Sequence, residues 1–378
     1  MKKKPSIVAD LNIPFLQGAL ASHANIQYLP ASKINRKALV NADALIIRTR
    51  TQCNASLLGG TAVKFIATAT IGHDHIDQVF CKQAGVSWSN APGCNASSVM
   101  QYMACALASI ALHDKKKFNE LCLGVIGAGN VGKKVINLAH VLDMKVLVND
   151  PPRERHEGRE AYTELPTLLE EADIVSMHMP LNHEGPDKSF HMANDVFFDM
   201  MKTGAWFINT ARGEVTQTRA LKNALRSGKL RGAVIDVWEN EPLIDKELLR
   251  LAYIATPHIA GYSLDGKANG TAMSVQAVSR FFKLGIDNWF PKKIPAPQNP
   301  VIHLKNHNKT KEENIHQLFT HTYDIHADSR RLKSEVENFE AFRDNYPPRR
   351  EFPAFNVEVL ELPNDLASIL ANLHFRAF

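Results

Sequence analysis

Three stretches in the second half of the chain each follow an apolar run and end on residues able to do chemistry: INTARGE (208–214), DVWENEP (236–242) and TPHIAGY (256–262). They offer a guanidinium at Arg212, a carboxylate at Glu241 and an imidazole at His258. Arginine grips a carboxylate through a two-pronged fork. Histidine exchanges a proton near neutrality. A carboxylate beside it favours the imidazolium and fixes the tautomer. Moving a hydride off a hydroxy acid needs these three functions: a cation for the acid group, a base for the hydroxyl proton, and an acidic partner that tunes the base. Any one of the three alone reads as an ordinary satisfied polar group. The combination gains weight from what precedes it.

That preceding element is GAGNVG (127–132), a GxGxxG. The strand-like run LGVI leads into it and a helical pattern, VGKKVINLAHVL (131–142), leaves it. In this frame Gly127 permits the tight turn and Gly129 lets a pyrophosphate approach the backbone. Gly132 allows close helix–strand packing, and Asn130 and Val131 open the helix whose N-terminus faces the phosphates. A second strand pattern ends at Asp150, 18 residues past Gly132, where an acid is expected to bond the ribose hydroxyls of NAD. Arg153 and Arg155 follow closely and keep NADP open as the alternative.

Other features carry less. His73, His75 and Asp77 alternate in HDHID like metal ligands, but no further His or Cys stands at ligand spacing. They are expected to cap backbone groups, with no metal bound. Cys94 in APGCN has no base beside it in sequence and reads as a packed thiol. Five scattered cysteines (53, 81, 94, 105, 122) without a CxxC suggest reduced thiols in a cytoplasm. The opening MKKKPSIVAD has an apolar run of four residues before Asp10, shorter than a secretory leader requires. The longest apolar stretch, Val99 to Leu112, is interrupted by Gln101, Tyr102 and Ser109, so no membrane span is expected. The net charge is +5, and residues after 295 carry ten basic against twelve acidic side chains. The basic run Lys2–Lys4 reads as a solvated terminus, and the chain lacks the basic stripe with stacking aromatics that nucleic acid would want.

The elements that must position these residues follow from the apolar pattern. A length of 378 residues, 45% of them hydrophobic, implies two or three domains. Strand runs at 6–10, 44–50, 64–72 and 86–93 alternate with helical stretches such as FLQGALASHA. Residues 96–113 read as one long buried helix. A second series of runs, at 121–127, 145–150, 173–180, 205–211, 232–238 and 252–260, alternates with helices such as 218–228. Buried strands alternating with helices predict α/β doubly wound parallel sheets. Residues 264–284 return to helix, and the proline-rich 287–300 reads as a linker to a separate small unit.

With these motifs the chain resembles the D-isomer-specific 2-hydroxyacid dehydrogenases over roughly residues 5–290. The stretches that carry the resemblance include IIRTRT, TATIGHDHID, APGCNA, GVIGAGNVG, NDPPR, HMPLNHEGPDKSFH, NTARGE, DVWENEP and TPHIAGYSLDGKANG. The resemblance implies two Rossmann-like domains with the active site in the cleft. Residues 1–98 and 261–295 would form a discontinuous substrate-binding domain, 99–260 the NAD-binding domain, and 296–378 a small α+β dimerisation domain. It implies that Arg212 binds the substrate carboxylate, His258 exchanges the proton and Glu241 pairs with His258. Gly127, Gly129, Asn130, Val131, Gly132, Asp150, Met179, Asp236 and Gly261 would line NAD. Thr49, Thr70 and Tyr262 would contact a small phosphorylated 2-hydroxy acid, and the protein would be a cytoplasmic homodimer. Thr49 stands where the family has Ser, and Met179 where a Thr usually touches NAD. Candidate phosphate ligands are Arg48, Arg50 and the pair Arg349–Arg350, the last read in the first instance as a solvated basic turn. Two alternatives stay open: a phosphoglycerate dehydrogenase, and an NAD-sensing binding protein like the C-terminal-binding transcriptional corepressors.

Overall fold

The computed structural model describes residues 4–304, 309–359 and 364–377, so Lys2 and Lys3 lie outside it. The chain folds into two compact units: residues up to Asn95 with Ser263–Pro295, and Ala96–Tyr262 with the segment from Ala296 onward.

The first unit is built on five parallel strands: β1 (Ser6–Asp10), β2 (Asn25–Leu29), β3 (Ala44–Ile47), β4 (Phe65–Thr68) and β5 (Ser87–Ser89). Their order is β2-β1-β3-β4-β5, with Ile7 opposite Ala44 and Ala44 opposite Phe65. The order reverses between β1 and β3, and such switch points are where open α/β sheets bind ligands. β3 and β4 are buried at every position, as a sheet covered on both faces requires. The helix Leu264–Phe282 returns to cover this sheet, and its Gly270 lies so close to the Ala69 carbonyl that a Cβ would stand 2.7 Å from the oxygen.

Two expectations for this unit are corrected. β2 was not foreseen, and FLQGALASHA is a series of turns rather than a helix. β2 is an edge strand with Asn25 and Gln27 exposed, so it lacks the apolar run that marks its neighbours.

The second unit carries six parallel strands: β6 (Cys122–Ile126), β7 (Lys145–Asn149), β8 (Ile174–Met177), β9 (Ala205–Asn209), β10 (Leu230–Ile235) and β11 (Ile254–Ala255). Their order is β11-β10-β9-β8-β6-β7, so the switch point lies between β6 and β8. Every observed strand stops short of the polar end of its sequence run. The residues beyond turn off the sheet edge, and the site is built from them.

The tail adds a third, parallel sheet, β12 (Val301–Leu304), β13 (Asn356–Val359) and β14 (Arg376–Ala377), in that order. It packs on the helix Ala96–Asp114, whose buried face explains its odd polar residues. Ser98 donates to Glu351, Gln101 to Thr322 and the Arg350 carbonyl, and Ser109 bonds His326. Ile315, Leu318, Phe319, Phe352, Phe355 and Leu366 of the tail share one core with this helix. Burial of six such side chains contributes on the order of 10 kcal/mol, about the whole stability of a domain. Truncation after Pro295 is therefore expected to abolish cooperative thermal unfolding of this unit. A truncated chain that melts within a few degrees of the full protein would contradict this packing.

Candidate active site

The glycine loop is shaped by contacts no other residue permits. Gly127 ends β6 with φ +94°, and a Cβ there would stand 2.8 Å from the backbone of His178 and Met179, beyond the end of β8. At Gly132 a Cβ would lie 1.9 Å from the Gly127 carbonyl oxygen. At Gly129 nothing lies within 4 Å of that position, which leaves an open face beside the N-terminus of the helix Asn130–Val141. Asp150 follows β7, accepting from Ala128 N–H at 2.7 Å and Arg153 N–H at 3.1 Å. A carboxylate offers about four acceptor sites, so two remain for a ribose diol. These residues fit a dinucleotide. Met179 packs its side chain against the neighbouring core.

The arginines that kept NADP open are committed elsewhere. Arg153 donates to the Ala128 carbonyl and pairs with Glu157, and Arg155 pairs with Asp187. Gly132→Ala is expected to cost about 1–3 kcal/mol through overpacking and to weaken NAD binding. Calorimetry of binding and melting checks this, and wild-type values on both would contradict the loop geometry.

At the far side of the same sheet, β10 and β11 hand their polar ends to one cluster. His258 Nδ1 lies 2.8 Å from Glu241 Oε2. Glu241 Oε1 accepts from the Trp238 N–H at 3.0 Å, and Arg343 stands 3.7 Å from Oε2. Burial alone pushes the Glu241 pKa up. His258, the Trp238 N–H and Arg343 together outweigh it and hold the carboxyl below its ordinary value. The other glutamate of ENEP is used differently, because Glu239 accepts from Thr218 N–H and bonds His191.

The depressed Glu241 value fixes the sign of a pH dependence. A lowered folded pKa contributes stability in full above the ordinary value of 4.5, and loses it as pH falls through the lowered one. The gap in Tm between wild type and Glu241→Gln should therefore be present at about pH 5 and close as the pH falls below about 4.5. A gap that does not close on acidification would contradict the pairing.

Asp236 organises the loop that carries His258. It is 1% exposed, and it accepts from Thr256 Oγ1 at 2.6 Å, Ile259 N–H at 2.8 Å and Ala260 N–H at 2.9 Å. Burial raises its pKa, against the opposing pull of His258 and these donors. Tyr102 reaches Thr256 from the buried helix, and Trp238 Nε1 donates to the Thr256 carbonyl. Beyond Gly261, Tyr262 packs edge-on against Tyr346, with ring centres 5.9 Å apart.

Arg212 follows β9, and its loop is pinned by Gly213. A Cβ on Gly213 would stand 2.0 Å from the Trp238 carbonyl, so the arginine loop lies directly against the loop bearing Glu241. Sequence reasoning missed Gly213, although its place in ARGE was a usable signal.

In the first unit, Thr49 is exposed after β3, and Thr70 follows β4 bonded to Thr68 and the Gly72 carbonyl. Arg48 pairs with the buried Asp10 at 2.9 Å across the switch point. The HDHID residues have structural roles: His73 lies against Trp88, His75 bonds Thr68, and Asp77 caps Phe80 N–H. Burial lowers the His75 pKa. Among the described residues no group of three or more His, Cys, Asp or Glu could hold a metal. No described helix is long and apolar enough to cross a membrane. The solvated-turn reading of Arg349–Arg350 is overturned at Arg349, which is buried and bonds the Ile259 and Ala260 carbonyls.

A dinucleotide cradle and an Arg–Glu–His trio on the edge of one doubly wound sheet define a class, the nicotinamide-dependent dehydrogenases of hydroxy acids. Comparison with known proteins agrees. A family model described as D-isomer specific 2-hydroxyacid dehydrogenase, NAD binding domain, matches residues 108–260. A domain of unknown function, DUF3410, matches residues 294–373. Erythronate-4-phosphate dehydrogenase of Bacteroides thetaiotaomicron is 47% identical, over 93% of this chain and 98% of its own. The Porphyromonas gingivalis enzyme of that name is 39% identical, over 98% and 99%. A crystal structure of D-lactate dehydrogenase from Aquifex aeolicus with NAD and lactic acid superposes on 77% of this chain and all of its own. Its TM-score is 0.62, at 28% identity. The chain belongs to the erythronate-4-phosphate dehydrogenases, within the D-isomer-specific 2-hydroxyacid dehydrogenase family, and is an NAD-dependent dehydrogenase.

Proposed function

We propose that the chain oxidises 4-phospho-D-erythronate at C2 to (R)-3-hydroxy-2-oxo-4-phosphobutanoate, a step of pyridoxal 5′-phosphate synthesis. The observation that carries this reading is the 2.8 Å contact of His258 and Glu241 on the sheet that bears the glycine loop. The near full-length likeness to enzymes of that name supports the substrate.

NAD, when bound, accepts the hydride from C2. Arg212 holds the substrate carboxylate in its fork and draws negative charge from the forming carbonyl. His258 takes the C2 hydroxyl proton on Nε2, the nitrogen that does not face Glu241. Glu241, ionised, stabilises the imidazolium that results and holds the ring in one tautomer. Gly127, Gly129, Asn130, Val131, Gly132 and Asp150 would hold NAD. Met179, Asp236 and Gly261 would line the same cofactor. Thr49, Thr70 and Tyr262 would contact the substrate, and Arg50 would supply positive charge for its phosphate, Arg48 being paired with Asp10.

We further place the protein in the cytoplasm, consistent with five free cysteines, and read it as a homodimer through its tail. Light scattering of the full chain tests the dimer, and a mass of one 42.1 kDa chain at all concentrations would refute it.

The reaction is tested by nicotinamide absorbance with 4-phosphoerythronate, 3-phosphoglycerate, D-lactate and D-glycerate, each with NAD and NADP. The runs are repeated with a 2-oxo acid present to reoxidise retained cofactor. Strong preference for 4-phosphoerythronate with NAD is expected. Preference for 3-phosphoglycerate would move the assignment to that dehydrogenase. Silence with NAD still bound would favour a sensor.

A further inference from the structure

His258 sits in an unusual backbone state, with φ +56°, a left-handed conformation that a residue with a Cβ adopts at a cost. The surrounding structure must hold it there. Asp236 supplies half of that restraint by accepting the N–H groups of Ile259 and Ala260. The other half comes from a residue 89 positions beyond Ala260. Arg349 donates through one guanidinium nitrogen to the carbonyls of Ile259, at 3.3 Å, and Ala260, at 2.6 Å. The two residues after His258 are thus gripped on both polar sides, by a carboxylate on their N–H groups and a guanidinium on their carbonyls.

Arg349 is itself set firmly. It is 5% exposed, and its guanidinium lies over the Tyr323 ring at 4.4 Å. Tyr346, 5.9 Å from the guanidinium, donates its hydroxyl to Asp328. A buried cation costs several kcal/mol unless paired and bonded, so its placement against the catalytic loop calls for a reason beyond packing.

We propose that Arg349 is a positioning residue for proton transfer: the C-terminal segment clamps the His258 loop through Arg349 and fixes the direction of the imidazole. The tail then serves the chemistry of its own chain. This rests on the reading of His258 as the proton acceptor. Misplacing a reacting group by about 1 Å costs up to about a hundredfold in rate.

The test uses the full-length protein with 4-phosphoerythronate and NAD. Arg349→Lys keeps the charge but loses the reach that brings one nitrogen to both carbonyls and the planar group that lies over the Tyr323 ring. It should lower kcat by about tenfold or more, leave KM and the NAD affinity within about twofold, and enlarge the solvent deuterium isotope effect. Arg349→Met should lower kcat further. Tyr323→Leu removes the ring that supports the guanidinium while leaving the charge bonded, and should give the same kcat-only loss at smaller size. It decides the matter if the Arg349 variants fail to fold. Wild-type kcat in folded Arg349→Lys or in Tyr323→Leu would overturn the inference. So would kcat, KM and Tm falling together with no isotope signature. His258→Asn is the control: if it turns over at the wild-type rate, the underlying reading fails, and if it is dead while the other variants are normal, only the role of Arg349 fails.

Discussion

His258→Asn should reduce kcat by about 10³–10⁴-fold while leaving NAD binding and Tm close to wild type. The imidazole is the group placed to accept the C2 hydroxyl proton, and its Nδ1 is already committed to Glu241 at 2.8 Å. Asn matches the approximate size of the ring and can still face Glu241, but it cannot take a proton near neutrality. The backbone of residue 258 is held by its own N–H, which donates to the Asp236 carbonyl at 2.7 Å, and by the clamp on the next two residues. Asn also tolerates the left-handed φ better than most residues. The loss should therefore appear in the chemical step and not in folding. Calorimetry and steady-state kinetics on the same preparation check both halves, and turnover within tenfold of wild type would remove His258 from the mechanism.

Arg212→Lys should lower kcat/KM by about 10²–10³-fold, the range seen when one preorganised donor to a developing charge is lost. Lysine keeps the charge but loses the planar fork that fixes a carboxylate in one orientation. Gly213 presses the arginine loop against the Trp238 carbonyl, so the backbone cannot shift to bring a shorter reach into register. The expected pattern is a fall in kcat together with a rise in KM, since the same contact serves the bound acid and the forming carbonyl. A Lys variant with unchanged kcat/KM would show that the carboxylate is held elsewhere.

How much of this was legible in the sequence depended on how local each device is. The glycine loop is set by one strand–turn–helix and Asp150 by the end of the next strand, so both stand at a spacing that can be read from sequence. The helix Ala96–Asp114 was legible because an almost unbroken apolar run leaves no other reading. Of its interruptions, Gln101 and Ser109 are points where the tail bonds to it, and Ser98 is a third such point. β2 was missed because an edge strand with exposed Asn25 and Gln27 carries half the apolar signal of a buried one. Strand lengths were overread wherever the run continued into site residues, as at 252–260, where only Ile254–Ala255 is strand. Arg349 was the largest misreading. In NYPPRREF it looks like a solvated turn, and nothing local reveals that its partners are carbonyls near position 260. Residues that support a site from far along the chain leave no spacing to read, whereas those that form it at a strand end do.

The most direct measurement mixes the full-length protein with NAD and 4-phospho-D-erythronate, either unlabelled or deuterated at C2, and follows nicotinamide absorbance with mass spectrometry of the product. The account predicts a product two mass units lighter than unlabelled substrate, the deuterium of labelled substrate recovered on the nicotinamide, and no reaction in His258→Asn. A product that keeps the C2 deuterium, or oxidation that proceeds equally well in His258→Asn, would contradict it.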